Sequence, residues 1–281
     1  MKRTGSIAAL LALLIVPQAF AGGGFLKTVS AAQKKAQEKN QLIFVDLFAD
    51  WCGWCHRFDK EVVPSEAFQK ATDEMVLLRL DTEDGKEGTQ FARKYQISSL
   101  PTFLILDSDL SVAAVIRGYA PPAKFAEMMN GSVAKYREFE QLVSREAMLA
   151  KDYPKRLQIA REYRARQSFD KSAQRLQKLI DESGVPAAIR DDAYLELAVL
   201  YLDQGKHDEV LKIVNEFARV QNAGFTLERA WLVMTQAYLA KGNYKSAAEG
   251  LKSFKSKFPK SPLMAQVESM LPNVERMATA Q

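Results

Sequence analysis

Hydrophobic and polar residues follow two different patterns along the 281-residue chain. In the first, short apolar runs rich in β-branched and aromatic residues alternate with segments of helical spacing, which is typical of strands alternating with helices. The runs that predict strands are 41–49, 75–81, 102–107 and 111–118. The segments that predict helices are 25–40, the stretch after residue 55 with an interruption at Pro64, 86–97 and 120–130. The order β-α-β-α-β-β-α, after a first helix, predicts a mixed sheet covered by helices.

The second pattern starts at about residue 133, where strand-like runs disappear and helical spacing continues. Asn130, Gly131 and Ser132 precede this change, and they predict a helix stop followed by the N-cap of a new helix. We therefore expect a first domain over residues 22–131 and an all-α domain over residues 132–281.

An internal repeat is visible in the helical region. Three segments share a tyrosine and a ring-bearing residue six positions later; two of them have a glycine four positions after the tyrosine, and the first is degenerate, with a glutamine in its place. The three sets are Tyr163, Gln167 and Phe169; Tyr201, Gly205 and His207; and Tyr238, Gly242 and Tyr244. The three tyrosines lie 38 and 37 residues apart. A repeat of this length predicts stacked helix pairs, because one pair cannot bury its apolar face alone.

The first 21 residues have the pattern of a secretory signal peptide. Lys2 and Arg3 precede an apolar run over residues 7–16, and Ala19-Phe20-Ala21 resembles an A-x-A cleavage site. The run is too short for a transmembrane anchor, which needs about 20 apolar residues. We expect cleavage after Ala21 and a soluble, exported protein, periplasmic in location, without a membrane span.

The charge of the chain is close to balanced. It carries 39 Lys and Arg residues against 34 Asp and Glu residues, a formal charge of +5 that falls to +3 when Lys2 and Arg3 are removed. This excess is spread along the predicted helices and is not interleaved with aromatic residues. The sequence therefore gives no support to nucleic-acid binding.

The chain has two cysteines, Cys52 and Cys55, with two residues between them. A disulfide between them would close almost no loop and would stabilise the fold little. The pair is better explained by reactivity, either as a redox dithiol or, with His56, as the C-x-x-C-H signature of covalent haem attachment. His207 has no metal-ligand spacing to a partner, so the sequence predicts no metal site.

Residues 25–130 resemble the thioredoxin superfamily. "FVDLFADWCGWC" looks like the family's strand, buried aspartate and Trp-Cys-x-x-Cys turn into a helix, and "SLPTFLILD" looks like its cis-proline loop. Gly118 resembles the glycine that ends the last strand of the family. The long segment after the dithiol is similar to the exported thioredoxin-like subfamily, which includes the thioredoxin-fold end of a membrane electron transporter. The resemblance implies an α/β thioredoxin fold.

The resemblance also implies roles for three residues. Cys52, at a strand-to-helix junction where the helix dipole favours a thiolate, would attack a substrate disulfide. Cys55, one turn deeper, would resolve the mixed disulfide. Asp46 would be the family's buried aspartate, which assists proton transfer for Cys55; the alternative is a solvated edge-strand residue. No soluble cofactor is implied.

The remaining site residues surround the dithiol. The resemblance implies a cis peptide at Leu100-Pro101, where an extended substrate strand pairs with the backbone. Trp51, Gly53 and Trp54 are expected on the substrate side, with Trp51 packed beneath the loop. Trp54 replaces the proline of the family's common Gly-Pro dipeptide, so the reduction potential is left open.

His56 has two interpretations. It could favour the Cys52 thiolate through a partial positive charge, or it could be solvated. If the dithiol is redox-active, its partners are protein disulfides or dithiols, with a membrane electron donor as a further partner.

Residues 191–260 resemble tetratricopeptide (TPR) repeats, and residues 152–190 do so weakly. Trp231, Tyr238, Ala247 and Pro259 have the spacing of that repeat. The resemblance implies a solenoid that binds a protein partner. Three functions remain open: an exported thiol–disulfide oxidoreductase whose repeats recruit partners, a non-enzymatic adaptor or assembly factor in which the repeats are the working part, and a c-type haem protein that uses Cys52, Cys55 and His56.

Overall fold

The computed structural model describes residues 24–221 and 223–280, so the signal peptide predicted over residues 1–21 lies outside the described residues. The chain forms two compact units. Of the described residues, the first unit contains 24–103 together with Arg117–Ala126, and the second contains Leu104–Ile116 together with 127–221 and 223–280.

The elements of the α/β part follow the predicted order. They are α1 (Val29–Lys39), β1 (Leu42–Phe48), α2 (Gly53–Glu61), α3 (Glu66–Thr72), β2 (Met75–Asp81), α4 (Glu87–Lys94), β3 (Thr102–Leu106), β4 (Val112–Arg117) and α5 (Pro122–Ser144). The interruption predicted at Pro64 separates α2 from α3. Each predicted strand is present, with ends that differ by at most one residue from the prediction.

The four strands form one sheet in the order β2-β1-β3-β4. β1 and β2 are parallel, with Asp46 opposite Arg79 in the register. β3 and β4 are joined by a short turn, which permits an antiparallel hairpin and makes the sheet mixed. β1 is an inner strand with five consecutive buried residues, whereas β2 at the edge buries every second residue. The apolar run of β1 is therefore explained by burial on both faces.

Five phenylalanines form the centre of the first unit. Their ring centroids lie 4.3–6.2 Å apart in the contacting pairs, and several pairs are edge-to-face. They come from β1, α2, α3, β3 and α5: Phe44, Phe58, Phe68, Phe103 and Phe125. Burying each ring contributes about 1.5–3 kcal/mol, so Phe58 holds α2 firmly against the sheet.

The helix stop predicted at residues 130–132 is wrong. α5 continues from Pro122 to Ser144, and Gly131 has helical backbone geometry. A glycine inside a helix costs about 1 kcal/mol relative to alanine. Burial of Met129, Val133 and Tyr136 along one face of α5 outweighs that cost.

The second unit is rich in helices. After a short 3₁₀ turn at Glu146–Leu149 they are α6 (Tyr153–Ala165), α7 (Phe169–Asp181), α8 (Ala187–Asp203), α9 (His207–Val220), α10 (Phe225–Ala240), α11 (Tyr244–Lys257) and α12 (Met264–Thr279). Each helix packs against the next one from α6 to α12. Over the described residues, every helix is too short or too polar to cross a lipid bilayer.

Three tight turns join α6 to α7, α8 to α9 and α10 to α11. Each contains a residue with positive φ: Gln167 (57°), Gly205 (68°) and Gly242 (70°). The third positions of the sequence repeat, Phe169, His207 and Tyr244, are the first residues of α7, α9 and α11. The repeat positions predicted from the sequence therefore occupy the same places in three helix pairs.

The β3–β4 hairpin has its own contacts inside the second unit. The Arg166 guanidinium donates to the carbonyl oxygen of Ala113 at 2.8 Å, and the backbone N–H of Val112 donates to the carbonyl oxygen of Arg166 at 2.9 Å. Lys171 forms an ion pair with Asp109 at 2.7 Å. The turn between α6 and α7, together with the first turn of α7, therefore holds the hairpin.

Candidate active site

Cys52 and Cys55 form a disulfide at the N-terminus of α2, with an S–S distance of 2.06 Å and a Cα–Cα distance of 5.2 Å. β1 ends at Phe48, and a turn closed by the Cys52 N–H and the Ala49 carbonyl oxygen (3.0 Å) leads into the helix. Cys52 is the N-cap residue, and its Sγ accepts a hydrogen bond from the Cys55 N–H at 3.2 Å. Both cysteines are almost fully buried, at 3% and 2% exposure.

The position of Cys52 favours a thiolate once the disulfide is reduced. The first N–H groups of a helix have no partner inside the helix, and its dipole is positive at this end. A sulfur at the N-cap lies where both effects stabilise negative charge, which lowers the pKa of a thiol. The strand-to-helix junction therefore provides the electrostatic conditions for a nucleophilic Cys52.

The described geometry favours the redox dithiol over covalent haem attachment. The two sulfurs that haem would need for thioether bonds are bonded to each other. The His56 Nε2 atom lies 2.7 Å from the carbonyl oxygen of Asp50. Because a carbonyl oxygen only accepts, Nε2 carries a hydrogen in this contact and is not placed as an axial ligand. His56 instead connects the first turn of α2 to the loop before Cys52.

Asp46 lies in the middle of β1 and is 1% exposed, so the edge-strand alternative does not hold. Its Oδ2 atom has no hydrogen-bond partner among the described residues. Burial raises the pKa of Asp46 to about 7, the positive charge of Arg79 lowers it and the negative charge of Asp59 raises it. The carboxyl group can therefore exchange a proton near neutral pH.

Arg79 and Asp59 were not identified from the sequence. The Arg79 guanidinium binds Asp59 through two contacts of 2.5 and 2.6 Å, while its Nε lies 3.4 Å from the Asp46 Oδ2 atom. It also lies over the Phe48 ring, 4.2 Å from the centroid. Asp59 therefore holds the guanidinium and leaves Asp46 only partly compensated. A basic residue inside the apolar run 75–81 was the available signal, but its partner depends on the β1–β2 register.

The Leu100-Pro101 peptide bond is cis, as the resemblance implied. The Pro101 carbonyl oxygen accepts a hydrogen bond from the Gly118 N–H at 2.9 Å. The residue after Gly118, Tyr119, stacks on Trp54 with ring centroids 5.4 Å apart. These contacts connect the proline loop, the end of β4 and the dipeptide between the two cysteines.

Both tryptophans beside the dithiol are exposed. Trp51 is 67% exposed and its Nε1–H donates to Glu83 at 2.8 Å, so the expectation that it packs beneath the loop is wrong. Trp54 is 54% exposed. Gly53 is the first residue of α2, and apart from the adjacent residues and the backbone of α2 no described atom lies within 4 Å of the place where its Cβ would be.

A second group missed by the sequence analysis surrounds Trp54. The Arg57 guanidinium lies 5.5 Å from the Trp54 ring centroid and 4.9 Å from that of Tyr119. Glu61 binds the Arg57 Nε at 2.9 Å and accepts a short hydrogen bond from the Tyr119 hydroxyl. In the sequence, Arg57 and Glu61 have the i,i+4 spacing of an ordinary surface ion pair. This spacing does not indicate that either side chain contacts Tyr119.

Residues 29–131 match the family described as "Thioredoxin-like domain". The fold is thus a thioredoxin-like domain, with a mixed sheet flanked by helices, followed by a helix-rich region. The match ends where the sequence pattern changes, although α5 continues beyond it.

Curated relatives of this segment include the thiol:disulfide interchange protein DsbD of Yersinia pestis (strain Pestoides F). It is 29% identical over 102 residues, which are 35% of this chain and 17% of the relative. The protein of the same name from Colwellia psychrerythraea is 36% identical over 90 residues, 30% of this chain and 15% of the relative. The chain therefore spans less than a fifth of the length of these relatives. Among solved structures, the oxidised C-terminal domain of Neisseria meningitidis DsbD is 17% identical with a TM-score of 0.34, covering 38% of this chain and 98% of that one.

Proposed function

We propose that this protein is an exported thiol–disulfide oxidoreductase that exchanges electrons with protein disulfides through Cys52 and Cys55. The observation that carries the proposal is the disulfide itself, with Cys52 as the N-cap of α2. The similarity of residues 29–131 to a thioredoxin-like domain supports it. The location is proposed to be periplasmic, on the basis of the signal-peptide pattern in residues 1–21.

In the reducing direction, the Cys52 thiolate attacks one sulfur of a substrate disulfide. A bond forms between the Cys52 Sγ and that sulfur, the substrate S–S bond breaks, and the departing substrate thiolate takes a proton. The Cys55 thiol then loses its proton and attacks the Cys52 Sγ. This step re-forms the Cys52–Cys55 disulfide and releases the second substrate thiol, so two electrons have passed to the substrate.

Asp46 is the proposed acceptor of the Cys55 proton. A general base works best when its pKa is close to the operating pH, and burial raises the pKa of Asp46 to about 7. Leu100 and Pro101 are proposed to pair with the backbone of an extended substrate. Trp51, Gly53 and Trp54 would contact its side chains, and His56 would hold the loop before Cys52.

We propose that the protein acts as a reductant and receives electrons from a membrane donor. The resemblance of the segment after the dithiol to the exported subfamily that includes a membrane electron transporter supports this direction. A reduction potential near that of thioredoxin, ~−270 mV, is expected for the Cys52–Cys55 pair. A value near ~−120 mV would instead identify an oxidant.

We further propose that the helical region over residues 132–281 is TPR-like and recruits a protein partner. The shared positions of the three helix-pair turns support this assignment. Stacked helix pairs of this kind present extended surfaces for peptides or proteins. If this region were the working part of a non-enzymatic adaptor, activity would not depend on the cysteines.

The test is insulin reduction by wild type, Cys52→Ser and Cys55→Ala, with dithiothreitol as electron donor. We expect wild type to accelerate the reduction and Cys52→Ser to leave only the dithiothreitol rate. Cys55→Ala should accumulate mixed disulfides with exported proteins, because the resolving thiol is absent. Equal rates for wild type and Cys52→Ser would reject the enzyme in favour of the adaptor.

A further inference from the structure

The surface beside the dithiol contains a preassembled aromatic cluster, which we call the Trp54 cluster: Trp54, Arg57, Glu61 and Tyr119. Three of its members lie on α2 and the fourth follows the end of β4. The ring centroids of Trp54 and Tyr119 lie 5.4 Å apart. The Arg57 guanidinium lies 5.5 Å from the Trp54 centroid and 4.9 Å from the Tyr119 centroid. The Glu61 carboxylate accepts hydrogen bonds from both the Arg57 Nε and the Tyr119 hydroxyl.

The cluster holds an exposed apolar ring in one orientation. Trp54 is 54% exposed, yet its ring lies at 29° to that of Tyr119 in a stacked arrangement. A free surface tryptophan would lose rotamer freedom when a partner binds. A ring that is already fixed avoids that cost, which is why rigid aromatic and arginine side chains often dominate binding at protein surfaces.

The position of the ring determines what it can contact. Trp54 is one of the two residues between the cysteines, so any segment whose cysteine reaches Cys52 passes beside it. Tyr119 follows Gly118, whose N–H binds the Pro101 carbonyl oxygen at the cis-proline loop. The cluster therefore lies along the path proposed for an extended substrate strand.

The charges of the cluster are paired within it. The Arg57 guanidinium and the Glu61 carboxylate pair with each other at 2.9 Å, and the Tyr119 hydroxyl donates to Glu61. What the cluster offers to a partner is consequently the indole surface, which favours apolar side chains.

We propose that the Trp54 cluster selects protein disulfides in which a large apolar side chain flanks the cysteine in an extended segment. Tyr119, Arg57 and Glu61 act as positioning residues that fix Trp54. This inference rests on the proposed oxidoreductase function and names the substrate class of that same site.

The experiment uses the full-length reduced protein and two disulfide-linked peptide dimers that differ only in the residues flanking the cysteine, Phe in one and Ser in the other. Rates are divided by those with dithiothreitol, which corrects for the intrinsic reactivity of each peptide. For wild type we expect about a tenfold preference for the Phe peptide, since partial burial of one such side chain is worth about 1.4 kcal/mol.

Tyr119→Ala should reduce this preference to about fourfold or less, because loss of one aromatic pair lowers the discrimination by at least about 2.3-fold. Tyr119→Phe keeps the stacked ring and should retain most of the preference. Glu61→Ala is a surface change that removes the hydrogen-bond acceptor of Arg57 and Tyr119. Its preference for the Phe peptide should lie between those of wild type and Tyr119→Ala, and it replaces Tyr119→Ala in the test if that variant does not fold. Phe225→Ala, which removes a similarly exposed aromatic ring in the second unit, is the matched control and should leave the preference unchanged.

A wild-type preference below about twofold would overturn the proposal. So would a full preference in both Tyr119→Ala and Glu61→Ala. In either case the reduction of both peptides would leave the proposed function standing. If wild type reduced neither peptide while dithiothreitol reduced both, the proposed function itself would fail.

Discussion

Asp46 and Asp84 are two carboxylates of the first unit whose surroundings shift their pKa in opposite directions. Burial raises the pKa of Asp46 to about 7. Asp84 lies exposed before α4 and accepts hydrogen bonds from the backbone N–H groups of Lys86, Gly88 and Thr89, at 2.7–3.1 Å. These bonds lower the pKa of Asp84 to about 2. Stability should therefore respond to pH in opposite ways at the two sites.

Asp46→Asn should stabilise the oxidised protein relative to wild type, and this gain should be larger at pH 8 than at pH 4.5. Below about pH 4 the wild-type carboxyl group is protonated in both folded and unfolded chains. Between about pH 4 and pH 7 only the unfolded chain ionises, so wild type loses up to roughly 4 kcal/mol, and the loss is constant above pH 7. Asparagine has no such loss. Urea unfolding at several pH values measures the difference.

Asp84→Asn is the matched control, because its native carboxylate contributes stability above the unfolded pKa and loses that contribution as pH falls towards 2. It should be less stable than wild type at neutral pH and approach wild type at low pH. Parallel stability curves for wild type and Asp46→Asn would contradict the raised pKa of the buried Asp46.

At the scale of elements, α5 shows how packing overrides a local signal. Asn-Gly-Ser is a common helix terminator, but Gly131 lies on the exposed side of a continuous helix whose other face is buried. Apart from the adjacent residues and the backbone of α5 itself, no described atom lies within 4 Å of a Cβ built at Gly131. Local propensity is worth about 1 kcal/mol here, less than the burial of a single large apolar side chain of α5.

Gly131→Ala should therefore raise the free energy of unfolding by about 0.5–1 kcal/mol, the usual gain of alanine over glycine inside a helix. Gly205→Ala makes the same change at a turn with φ of 68° and equally open space. There a Cβ is disfavoured by about 1–2 kcal/mol, so the protein should be less stable. Urea unfolding compares the two. If both substitutions destabilise, α5 ends at Gly131 after all.

At the scale of the whole molecule, the compact units do not follow the ends of the family match. The β3–β4 hairpin lies within the matched residues 29–131, yet Leu104–Ile116 is part of the second unit. Arg166 is central to this arrangement. Its guanidinium binds the Ala113 carbonyl oxygen and lies 4.5 Å from the centroid of the Phe139 ring.

Arg166→Ala should accelerate amide hydrogen exchange in residues 111–116 and lower stability by about 1–3 kcal/mol, because a hydrogen bond to a charged group and its packing are lost. Arg161→Ala is the control on the same helix. Its partners, Asp192 and Glu196, both lie on α8. It should leave exchange in the hairpin unchanged. Unchanged exchange in Arg166→Ala would show that the hairpin does not depend on α6.

Three features were predictable from the sequence alone: the order of the strands and helices, the place of the dithiol at the β1–α2 junction, and the turns of the three helix pairs. These features depend on local periodicity, glycine conformation and helix-terminus chemistry, which act over a few residues. The cis peptide at Pro101 followed from the family resemblance and not from any local preference.

The tuning of the site depends on contacts between residues that are far apart in the sequence. Arg79 reaches Asp46 through the β1–β2 register, Tyr119 stacks on Trp54 across 65 positions of the sequence, and Arg166 binds Ala113 across 53. Each of these contacts depends on where separate elements pack, and burial rather than residue type sets the pKa of Asp46. A single sequence contains the residues of such contacts but not their distances, so pairing and burial emerge only in the folded chain.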